Sequence, residues 1–162
     1  MPLLRPGDTF PQLTLTVPGG KTVPVPGWFG GGFGVLLFNR GAWCPYCAAQ
    51  LRAFQRAGDS LAEAGIRVAA LWVDDEETTA EFTARNRITF PVGYGADARA
   101  IAELTGAFVN DDPPYLQSAG FVLDPRGTVT VSVYSSGAIG RLTPEDVTGL
   151  VRYVRQHTTT SS

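Results

Sequence analysis

An α/β fold with a mixed central sheet flanked by helices is what three features of the sequence predict. Gly34-Val35-Leu36-Leu37-Phe38 is a short, nearly continuous apolar run suited to a strand buried on both faces. A helical pattern and a second apolar run over residues 66–73 follow at once, which is the strand–helix–strand order of a right-handed parallel crossover. Later, residues 119–124 and 128–134 flank Pro125-Arg126-Gly127 as an antiparallel hairpin, and a final amphipathic helix follows. With 162 residues, 44% hydrophobic and 17% charged, the chain can bury a sizeable core and is neither disordered nor charge-rich. It reads as a single domain over residues 1–157, and residues 158–162, without an apolar anchor, read as a disordered tail.

In chain order, Thr14-Leu15-Thr16-Val17 and Lys21-Thr22-Val23-Pro24-Val25 alternate on either side of Pro18-Gly19-Gly20, so an N-terminal β-hairpin is expected, with Pro24 on an edge. The glycine-rich stretch 27–34 lacks the Lys-Ser or Lys-Thr of a phosphate loop and leads into a strand, so it reads as a flexible loop. Residues 47–64 read as one helix whose buried face is Cys47, Leu51, Phe54, Gly58 and Leu61; Gly65 stops it. Asp74 or Asp75 caps the next helix, which runs to about Arg87 with Glu76 and Glu77 in its first turn. Thr89-Phe90-Pro91-Val92-Gly93-Tyr94 is extended, residues 98–104 form a short helix closed by Gly106, and residues 110–115 are polar and proline-broken, a surface loop. Thr143 caps the last helix, Pro144 opens it, and Val147, Leu150, Val151 and Val154 make its apolar face. His157 at its end suits the helix dipole rather than catalysis.

A net charge of −2 offers no basic patch for nucleic acid or a membrane surface. No window approaches the ~18 apolar residues of a spanning helix, and residues 1–6 are too short and proline-broken for a signal peptide. A soluble, cytoplasmic protein is expected. Both cysteines lie in Trp43-Cys44-Pro45-Tyr46-Cys47, directly after the first buried strand. Such a junction sets a sulfur beside the free N–H groups of a helix start, where a thiolate is stabilised, and Pro45 at the first helical position loses no hydrogen bond there. Cys44, ahead of the first turn, is expected to be the more exposed sulfur, and Cys47, at the start of the buried stripe, the more covered. A structural zinc site would need a second ligand pair, so no metal and no other cofactor is expected.

The chain resembles the peroxiredoxin-like (AhpC/TSA, redoxin) branch of the thioredoxin superfamily over nearly its whole length. Gly7-Asp8-Thr9-Phe10-Pro11, residues 38–47, Phe90-Pro91-Val92, residues 120–127 and Gly140-Arg141 carry the likeness. It implies a thioredoxin-like fold with the N-terminal hairpin as an extension. Aligned on Phe38, Cys47 falls where that family keeps its peroxide-attacking cysteine, Cys44 where it keeps Thr or Ser, and Arg40 where it keeps Pro. A further family arginine falls at Thr130, so the groups that polarise a peroxide are expected to be missing. The Cys-Pro-Tyr-Cys sequence is in turn similar to the redox motif of thioredoxins and glutaredoxins, although Ala119 stands at thioredoxin's cis-proline and Phe38 at its buried acid.

The function expected is therefore thiol-disulfide exchange. A Cys44 thiolate attacks a disulfide or sulfenic acid, and Cys47 resolves the mixed disulfide. Arg40, the nearest fixed positive charge, either lowers the thiol pKa or is a solvated or structural arginine, and Trp43 and Tyr46 either shield the pair and shape a contact surface or serve as packing residues. The alternative is a thiol peroxidase in which Cys47 is oxidised by a hydroperoxide and Cys44 condenses with it. A redox sensor or binding module on the same fold is the non-enzymatic reading. Either enzyme needs an external thiol reductant of thioredoxin, glutaredoxin or glutathione type, and a homodimer is the assembly the superfamily implies.

Overall fold

The computed structural model describes residues 3–160, with side chains described through residue 157. Its centre is a five-stranded mixed sheet. The apolar run before the cysteines is β3 (Phe33–Phe38), buried at every position, and it pairs in parallel with β4 (Ile66–Leu71) from Phe33↔Ile66 to Phe38↔Leu71. On its other side β3 runs antiparallel to β8 (Ala119–Leu123), which pairs with β9 (Val129–Tyr134). The short β5 (Val92–Gly93) completes the parallel side. The sheet is mixed and flanked by helices, as expected, and β1 (Leu13–Thr16) and β2 (Thr22–Val25) form the N-terminal hairpin.

Alternation along the central strands divides the core in two. Val35, Leu37, Val68, Ala70 and Val122 pack with Leu51 and Phe54 of α1 (Pro45–Arg56), Leu61 of α2 (Gly58–Glu63), Phe82 of α3 (Glu76–Asn86), and Val147 and Val151 of α5 (Pro144–Thr160). Leu36, Phe38, Leu71, Phe121 and Leu123 face the N-terminal hairpin, Ala98 of α4 (Ala98–Thr105), and Leu116. The glycine-rich stretch holds a single 3-10 turn, Gly27–Phe29, which lays the Phe29 ring on Gly34; a Cβ there would lie 2.3 Å from the ring.

Two expectations need correction, and an open choice is resolved. The helix expected over 47–64 is two, because Ala57 leaves helical torsions (φ −86°, ψ 8°) ahead of Gly58, the weakest helix former after proline. The surface loop expected over 110–115 is a second small hairpin, β6 (Val109–Asp111) with β7 (Pro114–Leu116). Its three-residue arms are too short to show a period, and its prolines sit at the turn and on an edge, where the missing N–H costs little. Of the two aspartates, Asp75 caps α3 by accepting from the Thr78 N–H. Asp74 instead turns its carboxylate to the cysteine loop.

The expected tail coincides with the last turn of α5 through Thr160, and Ser161 and Ser162 lie outside the described residues. Among the described residues, no helix is long and apolar enough to cross a membrane.

Candidate active site

The backbone leaves β3 at Phe38, and the next nine residues bring both sulfurs to the start of α1. Cys44 is the N-cap, its Sγ accepting from the Cys47 N–H at 3.4 Å, and Pro45 opens the helix as expected. The loop is pinned from the neighbouring strand end, since the Ala42 N–H donates to Asp74 Oδ2 at 2.7 Å. Burial holds the Asp74 carboxyl above its usual range, with Asp75 adding to the push and the Ala42 N–H opposing it. At Gly41 a Cβ would lie 2.2 Å from Trp43 Nε1, so only glycine lets the Trp43 ring fold back over the loop.

Each sulfur has its own guanidinium. Arg40 Nη1 lies 3.7 Å from Cys44 Sγ, while its Nε donates to Gln117 Oε1 at 3.0 Å and its Nη2 to the Tyr115 hydroxyl at 3.2 Å. Its carbon sits 4.9 Å from the Trp43 ring centroid and 5.4 Å from that of Tyr115. Arg141, from the turn before α5, places Nη2 2.9 Å from Cys47 Sγ and 3.9 Å from Cys44 Sγ. Its Nη1 donates to Gln50 Oε1 at 2.8 Å and Asn39 Oδ1 at 3.2 Å, and its Nε to the Ala138 carbonyl at 2.6 Å. The Arg40 backbone N–H also donates to Cys47 Sγ at 3.2 Å.

The thiols are free, and both have zero exposed surface. The two do not differ in exposed surface, since the Arg40 side chain and the Cys47 backbone close over Cys44, but Cys47 is the more deeply packed of the pair, as expected. Burial pushes the Cys44 thiol up, but hydrogen bonds from the Cys47 thiol and backbone, from Arg40 and from the Tyr46 backbone outweigh that push and hold it below the ordinary thiol value. On Cys47 burial prevails. Arg141 pulls this thiol down, yet the hydrogen bond it gives to Cys44 helps keep it above the ordinary value. The pair thus holds its first negative charge readily and its second reluctantly.

Of the residues singled out in the sequence, Cys44, Cys47, Arg40, Trp43 and Pro45 converge here, while Tyr46, 53% exposed, stands on the surface beside Trp43, 56% exposed. Gln50, Gln117 and Tyr115 are not among the site residues expected, and Arg141 and Asn39 enter only within the stretches that carry the family likeness, with no role given to them. Gln50 left a trace, being a polar residue one helical turn beyond Cys47 on the buried face of α1. The residues at the family's polar positions are Cys44, Arg40 and Thr130, as the sequence has them, and a guanidinium reaches Cys47 Sγ from another element, Arg141.

The AhpC/TSA family model matches residues 6–132. A peroxiredoxin of Methanothermobacter thermautotrophicus is 30% identical over 161 residues, spanning 96% of this chain and 73% of that protein. One from Treponema denticola is 29% identical over 147 residues, spanning 87% and 68%. Among solved structures, the peroxidoxin BcpB of Mycobacterium tuberculosis superposes with a TM-score of 0.81 at 19% identity, covering 94% of this chain and 99% of that one. A peroxiredoxin-like protein of Aquifex aeolicus superposes with a TM-score of 0.81 at 18% identity, covering 95% and 90%. Their likeness is one of fold. Taken with the family match and the adjoining cysteine pair, they close the question of kinship: the chain belongs to the AhpC/TSA family and is a peroxiredoxin-like thiol oxidoreductase.

Proposed function

We propose that the protein reduces small hydroperoxides, with Cys47 as the peroxide-attacking and Cys44 as the resolving sulfur. The observation that carries this is the pair of donors on Cys47 Sγ, Arg141 Nη2 at 2.9 Å and the Arg40 N–H at 3.2 Å. Fixed donors at that point stabilise the thiolate and the charge that develops as the peroxide bond opens. Closure of both sulfurs also favours a small oxidant over a protein disulfide. Cys44 holds the pair's first negative charge more readily than Cys47, so the cycle starts when the Cys47 proton passes to the Cys44 thiolate. The Cys47 thiolate then attacks the terminal peroxide oxygen, the O–O bond breaks, and the leaving alkoxide takes the proton now on Cys44, giving an alcohol, Cys47 sulfenic acid and a Cys44 thiolate. That thiolate attacks the Cys47 sulfur, the S–O bond breaks, and the leaving hydroxide takes a proton from solvent to depart as water. The resulting Cys44–Cys47 disulfide holds the two oxidising equivalents until an external thiol reductant of thioredoxin, glutaredoxin or glutathione type removes them.

In this reading Arg40 and Pro45 shape the thiolate environment, and the exposed Trp43 and Tyr46 are where a reductant approaches. A cytoplasmic setting, which keeps such thiols reduced, fits the cycle. A homodimer is the assembly proposed. The lowered Cys44 thiol favours a second reading, in which Cys44 attacks a disulfide and Cys47 resolves. Rapid-mixing peroxide consumption in Cys44→Ser and Cys47→Ser proteins separates the two. The peroxidase reading expects the first oxidation to survive in Cys44→Ser and vanish in Cys47→Ser. Equal peroxide reactivity in both variants, with attack on a disulfide lost in Cys44→Ser and a mixed disulfide trapped in Cys47→Ser, would replace it by the second reading.

A further inference from the structure

Arg40 is held from outside the redox motif. Its Nε and Nη2 are taken by Gln117 and Tyr115, both at the small hairpin β6–β7, leaving Nη1 for Cys44. The hairpin end that carries them is anchored, since Leu116 is fully buried and the Gln117 N–H donates to the Phe108 carbonyl at 2.9 Å. The Trp43 and Tyr115 rings, edge to face at 5.1 Å, flank the guanidinium.

Apart from Cys44 itself, the side-chain acceptors on this arginine, Gln117 and the Tyr115 hydroxyl, are neutral groups. Among the described residues, no carboxylate forms an ion pair with either Arg40 or Arg141; the ion pairs present are Arg85–Glu81 and Arg99–Asp111. A carboxylate in place of Gln117 would satisfy the same N–H but cancel much of the charge that Cys44 sees. A neutral amide orients the cation and leaves its field intact.

We propose that Gln117 and Tyr115 are positioning residues that aim an uncompensated Arg40 charge at Cys44, so that the β6–β7 hairpin sets the reactivity of the resolving thiol. This rests on Cys44 being a reactive partner in the dithiol cycle. Its test needs no peroxide, so its failure is distinct from failure of the peroxidase reading. The rate of Cys44 alkylation by iodoacetamide, resolved by peptide mass, is followed against pH in the reduced full chain. Gln117→Leu and Tyr115→Phe are each expected to move the midpoint upward by about half a pH unit or more, a fraction of what a full opposite charge commands. Gln117→Glu separates aiming from mere packing: it preserves the hydrogen bond to Arg40 and is still expected to raise the midpoint. Unmoved midpoints in Gln117→Leu and Tyr115→Phe, with native circular dichroism, would overturn the proposal. So would a Gln117→Glu protein that titrates like the parent.

Discussion

Replacing Arg141 with Met removes the guanidinium 2.9 Å from Cys47 Sγ while keeping an unbranched side chain in the same turn. An opposite charge at such range moves a pKa by ~1–3 units, so the Cys47 thiol, already above its ordinary value, should rise further. At neutral pH the thiolate fraction falls ~10- to 1000-fold. A more basic thiolate is also a better nucleophile, and a Brønsted slope of ~0.4–0.5 restores about half of that loss on a logarithmic scale. Losing an oriented donor to the developing charge costs a further ~10²–10³ in rate. Together the first oxidation should slow by on the order of 10³ or more. Fold stability should also drop by ~1–3 kcal/mol, because Gln50, Asn39 and the Ala138 carbonyl each lose a donor. Arg141→Lys, which keeps a charge without the fork, should fall between the two. The assay is single-turnover peroxide reduction by stopped flow, with urea unfolding alongside. A folded Arg141→Met protein that reacts within a few fold of the parent would refute the role given to this arginine.

Other perturbations test separate links. The lowered Cys44 thiol contributes stability that is present above the ordinary thiol pKa and lost as pH falls through its folded value, while the raised Cys47 thiol withdraws stability as pH climbs past the ordinary value. The unfolding free energy of the parent minus that of the Cys44→Ser/Cys47→Ser double variant should therefore widen with pH up to the unfolded thiol range near ~8.5 and narrow above it; a flat difference would contradict both shifts. Gly41→Ala should force the Trp43 ring off the loop and off Arg40, read as a change in tryptophan emission, and an unchanged spectrum would deny the close packing. Phe54→Ala, which empties a fully buried site on α1, should cost ~3–5 kcal/mol in urea unfolding, whereas a loss below about 1 kcal/mol would argue against the packing of α1 on the sheet.

What the sequence made legible is what local pattern encodes. The apolar run of β3, the Cys47, Leu51, Phe54 stripe and the Thr143-Pro144 cap each announce an element through periodicity or capping chemistry. The proximity of the two sulfurs follows from their spacing. The environment of those sulfurs does not, because its key members lie far along the chain: Arg141 is 94 residues from Cys47, and Gln117 is 77 from Arg40. Only the strand order brings them together. The burial of Cys44 was hidden for the same reason, since part of its cover is the side chain of Arg40, folded back over it and held there by the distant β6–β7 hairpin that the sequence presented as a loop.

The most direct test of the dithiol cycle is stoichiometric. Reduced protein is mixed with one equivalent of hydroperoxide and analysed at once by intact mass and non-reducing peptide mapping. The cycle predicts loss of two hydrogens per chain, one peroxide consumed per two thiols, and a Cys44–Cys47 cross-linked peptide as the sole product. Oxygen retained on Cys47 while Cys44 stays a free thiol, or oxidation that joins two chains instead, would contradict it.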